Sequence, residues 1–193
     1  MLMTVVTDES DGALAAQALQ GDDAAFALLV SRHKGWAYQF VRRYVGNSAD
    51  AYDVLQDTFF SAWRALGRYE RDRPFEFWLR RIALNKCRDR NRRETVRRLI
   101  GARSGAEESE EIQDPAPGPS ALTEGDQELR LLERYIAKLP RSLMEPLLLT
   151  ALEGLSQEEA GKLLGISAKA IETKVYRARI RLTAVFGPRG VAC

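Results

Sequence analysis

One stretch near the middle of the chain, residues 101–126, constrains the fold more than any other. It reads GARSGAEESEEIQDPAPGPSALTEGD and is rich in Gly, Pro, Ser and Glu but poor in aromatic residues. Such a segment cannot bury enough apolar surface to offset the conformational entropy lost on folding. The chain is therefore predicted to form two domains joined by a flexible acidic linker over residues 100–126.

The apolar residues on both sides of this linker recur with helical spacing. Residues 23–45 follow the i, i+3, i+4, i+7 pattern, and no alternating strand pattern or flanked hairpin dipeptide is present. Further helices are predicted over residues 12–20, over 49–66 and from Pro74 to about residue 95. The predicted fold class is all-α, with two small helical domains (22–99 and 127–187), an N-terminal tail with a short helix (1–21) and a C-terminal tail (188–193).

The composition argues against several classes of function. The chain has one histidine, His33, and two cysteines, Cys87 and Cys193. These residues cannot supply a catalytic triad or a multi-histidine metal site, so we predict no enzyme, no metal and no cofactor. His33 is interpreted as a surface or helix-flank residue, Cys87 as a small buried hydrophobe and Cys193 as a tail thiol.

No segment has the features of a membrane anchor or of a secretory signal. No apolar run approaches the roughly 20 residues that span a bilayer. The first residues, MLMTVVTDESDG, lack a basic stretch before an apolar core. We therefore expect a cytoplasmic protein without direct membrane insertion.

Charge is strongly segregated along the chain, although its formal net value is only +2. Residues 1–31 carry five acids and no Lys or Arg, and residues 101–125 carry six acids and one base. Residues 80–98 instead carry nine bases and two acids, and residues 167–189 carry six bases and one acid. Two separate basic segments favour two contacts with a polyanion over two solvated helix faces.

The most specific pattern lies in LSQEEAGKLLGISAKAIETKVYRARIRL, near the C-terminus. Ser156 and Glu159 have capping-box spacing, and Ser167 can cap a following helix. Gly161 allows two helices to approach closely, and Gly165 allows a left-handed turn between them. These features predict a helix-turn-helix.

The second helix of this motif is predicted to enter a DNA major groove, with its later arginines on phosphates. The alternative is an ordinary helix pair with a solvated basic face. The candidate DNA-binding residues are Ser167, Lys169, Ala170, Glu172, Thr173, Lys174, Arg177 and Arg179.

The helix predicted over residues 49–66 has a second kind of surface. Leu55, Phe59, Ala62 and Leu66 share one face and are predicted to be core. Another face carries Asp53, Gln56, Asp57 and Phe60. Carboxylates beside an aromatic suit a basic protein partner rather than DNA, but periodicity alone rates a solvated face equally.

Three motifs resemble those of bacterial extracytoplasmic-function (ECF) RNA polymerase sigma factors. DAYDVLQDTFFSAWRAL resembles their core-polymerase-binding motif, and RPFEFWLRRIALNKCRDRNRR their promoter-melting and −10-reading helix. LPRSLMEPLLLTALEGLSQEEAGKLLGISAKAIETKVYRARIRL resembles their −35-reading domain. The resemblance covers about residues 24–98 and 128–186. The sequence departs from the family pattern at Tyr52 and at Pro146. Ser142 and Glu145 have capping-box spacing, which predicts that Pro146 lies near the first turn of a helix.

The resemblance implies a sigma factor without catalysis of its own. Its partners would be core RNA polymerase, through Asp53, Gln56, Asp57 and Phe60, and promoter DNA. An anti-sigma factor would control it. The −35 element would be read by the helix-turn-helix. The residues that contact the −10 element would lie in the loop GRYERDR and on the following helix: Arg68, Tyr69, Arg71, Arg73, Arg80, Arg81, Asn85 and Arg88. Trp78, on the same helix, is interpreted as a core residue.

Two other functions compete with this interpretation. A stand-alone helix-turn-helix regulator would bind duplex DNA without polymerase and favour palindromic sites. A helical adaptor would never contact DNA, and its basic faces would be incidental. An enzyme is a distant third, because the sequence shows no convincing catalytic constellation.

Overall fold

The computed structural model describes residues 9–103, 131–133 and 135–186, without the side chains of residues 98, 99, 101–103 and 186. Every regular element in these ranges is a helix, which confirms the all-α prediction. The helices form two compact units. The predicted linker from residue 104 onward and the C-terminal tail with Cys193 lie outside the described residues.

Four α-helices account for most of the N-terminal unit. They are α1 (Asp11–Leu19), α2 (Asp23–Val45), α3 (Ser48–Ala65) and α4 (Phe75–Arg103), with a 3-10 turn at Leu66–Arg68. Ser10 caps α1, since its side chain accepts from the Ala13 N–H at 3.2 Å. The turn after α2 depends on Gly46, whose φ of 87° suits a residue without Cβ.

The predicted end of α4 near residue 95 is wrong, because the helix continues to Arg103. The extra residues, TVRRLIGAR from Thr95, contain no proline and include several good helix formers. An i,i+4 ion pair of 2.6 Å between Arg90 and Glu94 supports the helix just before this extension. The isolated Gly101 weakens the helix without ending it.

The short helix α1 is part of the N-terminal core. Leu14, Ala15 and Ala18 are buried in one cluster with residues of α2, α3 and α4. The sequence pattern alone groups this helix with an N-terminal tail. Its burial shows that the unit contains four packed helices, and that residues before 22 contribute to its stability.

His33 is buried, so its interpretation as a surface or helix-flank residue is wrong. Its side chain lies between helices, 2.8 Å from the Asp11 carboxylate through Nε2. The Trp36 indole donates to His33 Nδ1 at 3.1 Å, which leaves Nε2 to donate to Asp11. Cys87 is fully buried, as predicted.

The C-terminal unit is built from several short helical segments and one longer helix. Residues 131–133 and 135–138 are helical, followed by α5 (Arg141–Leu147), a π-helical segment at Leu148–Leu152, α6 (Gln157–Leu164) and α7 (Ala168–Phe186). Apolar residues of these helices bury one another, among them Leu143, Leu148, Leu163, Ile171 and Leu182.

The predicted capping box of Ser142 and Glu145 is wrong. The helix begins at Arg141, with Pro140 instead of Ser142 at the N-cap and no side-chain cap bond. The Pro140 carbonyl accepts from the backbone N–H groups of Leu143 and Met144 at 2.8 and 3.0 Å. Pro146 therefore lies beyond the first turn, where its missing N–H removes a helical bond. The π-helical segment follows directly after it.

The helix-turn-helix forms as predicted. Ser156 and Glu159 make both bonds of the capping box, at 3.1 and 2.9 Å. Gly165 ends α6 with a φ of 71°, and Ser167 Oγ accepts from the Ala170 N–H at 3.2 Å at the start of α7. The turn thus consists of backbone conformations that only these small or polar residues satisfy at low cost.

Gly161 is the tightest point of this motif. A Cβ added there would lie 2.6 Å from the Ile166 carbonyl oxygen, well inside van der Waals contact. The backbone of the turn therefore packs directly against α6, which confirms the predicted close approach of the two helices.

We expect Gly161→Ala to destabilise the C-terminal unit by about 1–3 kcal/mol, because the turn backbone must shift to accommodate a methyl group. Thermal unfolding followed by circular dichroism measures the effect. The matched control is Lys162→Ala, an exposed neighbour on the same helix, which should leave the unfolding temperature within error. Equal stability of both variants would contradict the close approach.

Candidate protein and nucleic-acid interfaces

One face of α3 is buried and the opposite face is exposed. Phe59, Ala62 and Leu66 lie in the N-terminal core, and Leu55 packs partly against it, as predicted. The structure places all four candidate polymerase-binding side chains on the exposed side: Asp53, Gln56, Asp57 and Phe60. Phe60 is 62% exposed, which is unusual for so large an apolar side chain. This acidic face therefore combines two carboxylates with an aromatic anchor.

Exposed aromatic residues extend this face beyond the predicted set. Tyr52 and Trp63 are 57% and 38% exposed. The Tyr52 ring lies 4.8 Å from that of Tyr38, and the Trp63 ring meets Phe26 edge-on at 4.7 Å. Positions 52, 56, 60 and 63 follow helical spacing, so the sequence contained the signal. A single exposed aromatic is ordinary, but several on one face are typical of a binding surface.

The basic loop and α4 present only part of their predicted DNA-binding set. Arg68, Arg71, Arg73, Arg81 and Asn85 are exposed, and Arg88 is half-buried. Arg73 pairs with Glu70 at 2.6 Å, although both side chains remain well exposed. Most of the cationic groups thus stand on the surface of the N-terminal unit.

Tyr69, another member of this set, is buried at 8% exposure. Its ring lies 5.2 Å from Phe75 and 5.3 Å from Trp78, and its hydroxyl donates to the Arg73 carbonyl at 2.6 Å. Burial raises the pKa of Tyr69, and the charges of Asp11 and Asp72 raise it further. The phenol therefore stays protonated and links Tyr69 to the last residue of the loop. Trp78 packs partly against the core, consistent with its core interpretation.

Arg80 is also buried, with only 4% of its surface exposed. Its guanidinium contacts the Glu76 carboxylate and lies 4.6 Å from the centre of the Trp36 ring. A cation–π contact of this kind stabilises a buried arginine. The sequence could not predict that Arg80 is buried, because nothing distinguishes Arg80 from Arg81 until the packing of Trp36 is known.

The candidate residues Ser167 to Arg179 lie at the start of α7 or outside its buried stripe. Ile171, Ala178 and Leu182 are buried against the rest of the unit. Ser167, Lys169, Glu172, Thr173, Arg177 and Arg179 are exposed, and Ala170 and Lys174 are half-buried. Lys169 pairs with Glu172 at 2.7 Å on this surface. Tyr176, which the sequence pattern did not single out, is 66% exposed beside them.

The described part of the chain contains neither a metal-ligand cluster nor a membrane-spanning helix. Within residues 9–103, 131–133 and 135–186, no three His, Cys, Asp or Glu side chains are grouped as metal ligands would be. No helix in the same ranges is long and apolar enough to cross a membrane.

Comparisons with known proteins match both units. The Sigma-70 region 2 family matches residues 29–97, and the Sigma-70 region 4 family matches residues 129–182. The RNA polymerase sigma factor CnrH of Cupriavidus metallidurans is 40% identical, over 92% of this chain and 95% of its own length. The ECF RNA polymerase sigma-E factor of Escherichia coli is 30% identical, over 88% and 91% of the two chains.

A solved structure agrees with these matches. CnrH in complex with the cytosolic domain of CnrY has a TM-score of 0.65 and 35% identity, covering 92% of this chain and 97% of that one. This chain therefore belongs to the ECF group of RNA polymerase sigma factors. Sigma factors are non-enzymatic proteins of transcription initiation, which confirms the prediction that the chain is not an enzyme and excludes the adaptor and stand-alone regulator interpretations.

The burial of Arg80 predicts that this side chain stabilises the fold, unlike its exposed neighbour Arg81. We expect Arg80→Ala to lower the stability of the N-terminal unit by about 1–3 kcal/mol, because the side chain no longer packs on Trp36 and Glu76 is left unpaired. The exposed neighbour Arg81→Ala should leave stability within about 0.5 kcal/mol. Urea unfolding of both variants measures the difference, and equal stabilities would contradict the structural role of Arg80.

Proposed function

We propose that this chain binds core RNA polymerase through the acidic face of α3, captures the −10 strand with its basic loop and α4, and reads the −35 element with α7. The observation that carries the proposal is the separation of charge within the N-terminal unit. Asp53 and Asp57 stand exposed with Phe60 on one helix, while exposed arginines occupy the loop and the next helix. Two surfaces of opposite charge suit two different macromolecules.

The acidic face has the chemistry of a protein interface. Phosphates repel its carboxylates, so DNA is a poor partner, whereas a basic helix of the polymerase would be steered towards it. Phe60, at 62% exposure, would then be the buried anchor of the contact. The adjacent Tyr52 and Trp63 would enlarge the apolar part of the same interface.

The exposed basic groups of the same unit have the chemistry of strand capture. Arginine side chains neutralise backbone phosphates, and flat guanidinium groups also stack on unpaired bases. In the sigma region 2-like domain of residues 22–99, we assign this role to Arg68, Arg71, Arg73, Arg81 and Asn85, with Arg88 beside them. Tyr69 and Arg80 would act indirectly, by holding the loop and α4 in place.

The recognition helix would read duplex DNA. In the sigma region 4-like domain of residues 127–187, the N-terminal part of α7 would meet base edges through Lys169 and Thr173. Lys174, Arg177 and Arg179 would contact phosphates. Glu172 pairs with Lys169 in the structure, and it would restrain that ammonium before DNA arrives.

Control by an anti-sigma protein is part of the proposal. The related CnrH was solved with the cytosolic domain of CnrY, and that structure matches 92% of this chain. A protein that covers the apolar and acidic residues of α3 would block polymerase directly. We place this chain in the cytoplasm, where bacterial transcription takes place.

Run-off transcription with purified core enzyme tests the proposal. The promoter would first be selected by the holoenzyme from a random duplex library. We expect promoter-specific transcripts from the wild-type protein. We expect Asp57→Arg/Phe60→Ala to bind core enzyme at least tenfold more weakly, because the loss of one hot-spot anchor costs about 2 kcal/mol or more.

The matched control is Asp23→Arg/Leu28→Ala, which changes an exposed acid and an exposed apolar residue on α2. It should keep both folding and core affinity. Folding of each double variant is checked by circular dichroism. A folded Asp57→Arg/Phe60→Ala protein with unchanged core affinity would refute the assignment of the acidic face. An absence of promoter-specific transcripts from the wild-type protein would refute the proposed function itself.

The two roles assigned on α7 predict different salt behaviour. Arg177→Ala should weaken holoenzyme binding similarly on all −35 sequences and reduce the slope of log affinity against log salt by about 1. Lys169→Ala and Thr173→Ala should instead relax discrimination between −35 variants, by about 1–3 kcal/mol at the affected base pair. Affinities on −35 variants at two salt concentrations distinguish these outcomes, and a uniform loss in all three variants would contradict base reading by Lys169 and Thr173.

A further inference from the structure

The loop GRYERDR, residues 67–73, contacts α1 at two points. A Cβ added to Gly12 would lie 3.2 Å from the Arg71 carbonyl oxygen and 3.6 Å from the Arg71 Cβ. At the other end of α1, a Cβ added to Gly67 would lie 3.9 Å from Leu19 Cδ2. The N-terminal end of α1 thus meets the later part of the loop, and its C-terminal end meets the beginning.

The first turn of α1 is held in place by an ion pair and a hydrogen bond. The Asp11 carboxylate lies 3.0 Å from Arg32 Nη1 and 2.8 Å from His33 Nε2, so two side chains of α2 grip it from one side. The burial of Leu14, Ala15 and Ala18 fixes the other side of the helix. Gly12 is therefore anchored, and it cannot retreat from Arg71 without breaking these contacts.

A chain of side-chain contacts links His33 to the loop through Phe75 and Tyr69. The His33 ring lies 5.1 Å from Phe75, and Phe75 lies 5.2 Å from Tyr69. The Tyr69 hydroxyl bonds to the Arg73 carbonyl at 2.6 Å. The backbone that carries Arg71 and Arg73 is consequently fixed from α1 on one side and from the core on the other.

We infer that α1 is a positioning element for the −10 strand, and that Gly12 is its positioning residue, because a side chain at this position would press on the Arg71 backbone and displace it. This inference rests on the proposed function, in which the exposed arginines of the loop contact the melted strand. Neither α1 nor Gly12 touches DNA in this account. They preset the loop, so that strand binding does not have to order it.

The test uses the full-length chain assembled with core enzyme, with a fluorescent single strand as the probe. The strand is the non-template −10 region of the promoter selected by the wild-type holoenzyme. We expect Gly12→Val to weaken strand affinity about tenfold, the effect of misplacing one charge-assisted hydrogen bond. The salt slope should fall by about 0.7, the value expected when one phosphate of a single strand is no longer neutralised. Core affinity should remain at the wild-type value.

Gly35→Ala is the matched control, since Gly35 is also a helical glycine but has no atom within 4 Å of an added Cβ. It should leave strand affinity, salt slope and core affinity unchanged. If Gly12→Val does not fold, Gly12→Ala replaces it, because Arg71 then has to move by only a few tenths of an ångström. The smaller displacement should give a smaller loss of strand affinity in the same direction.

Arg71→Ala separates the two hypotheses. If it leaves strand affinity and salt slope unchanged, the loop does not contact the strand and that part of the proposed function fails. If Arg71→Ala weakens strand binding but the Gly12 variant matches wild type in affinity and slope, positioning by α1 is overturned. An equal loss of strand and core affinity in the Gly12 variant, with an unchanged salt slope, would show general destabilisation and also overturn it.

Discussion

Phe59 and Ala62 bury one face of α3 in the N-terminal core, and this burial decides which side chains of the helix reach solvent. With 3.6 residues per turn, a helix fixed on one face has no freedom to rotate its other face away. The apolar face thereby fixes the acidic face with Asp53, Asp57 and Phe60. A rotation that hid Phe60 would expose Phe59 and break the packing of α3 on its neighbours.

The opposite charges of the two surfaces also follow from the same packing. The ion pairs within the unit use only part of its charge, for example Arg90 with Asp50 at 2.6 Å between α4 and α3. Asp53 and Asp57 remain at the surface, as do the arginines of the loop. A protein that neutralised these groups internally would gain little stability, because exposed ion pairs contribute roughly 0–1 kcal/mol each. Leaving them exposed retains their long-range field for partners.

The sequence predicted most of the fold because its signals are local. The capping box of Ser156 and Glu159, the turn at Gly165 and the exposed face of α3 all depend on residues within one or two helical turns. The burial of His33, Tyr69 and Arg80 could not be predicted in the same way. Each of these polar side chains is buried by partners that the chain brings from elsewhere, such as Asp11 for His33 and Trp36 for Arg80. The start of α5 was missed for a different reason, since Pro140 took the N-cap position for which Ser142 was the better local candidate.

The contact of Gly161 with the Ile166 carbonyl has a consequence for how such a protein changes over time. The crossing of α6 and α7 is fixed by one backbone against another, together with inward residues such as Ile171. The outward positions of α7 take no part in that crossing. If Lys169 and Thr173 read base edges as proposed, mutations at these positions would alter the preferred DNA sequence while the helix crossing that presents them stays unchanged. Under that proposal, the promoter preference of this domain and the stability of its fold depend on different residues, so the first can change without loss of the second.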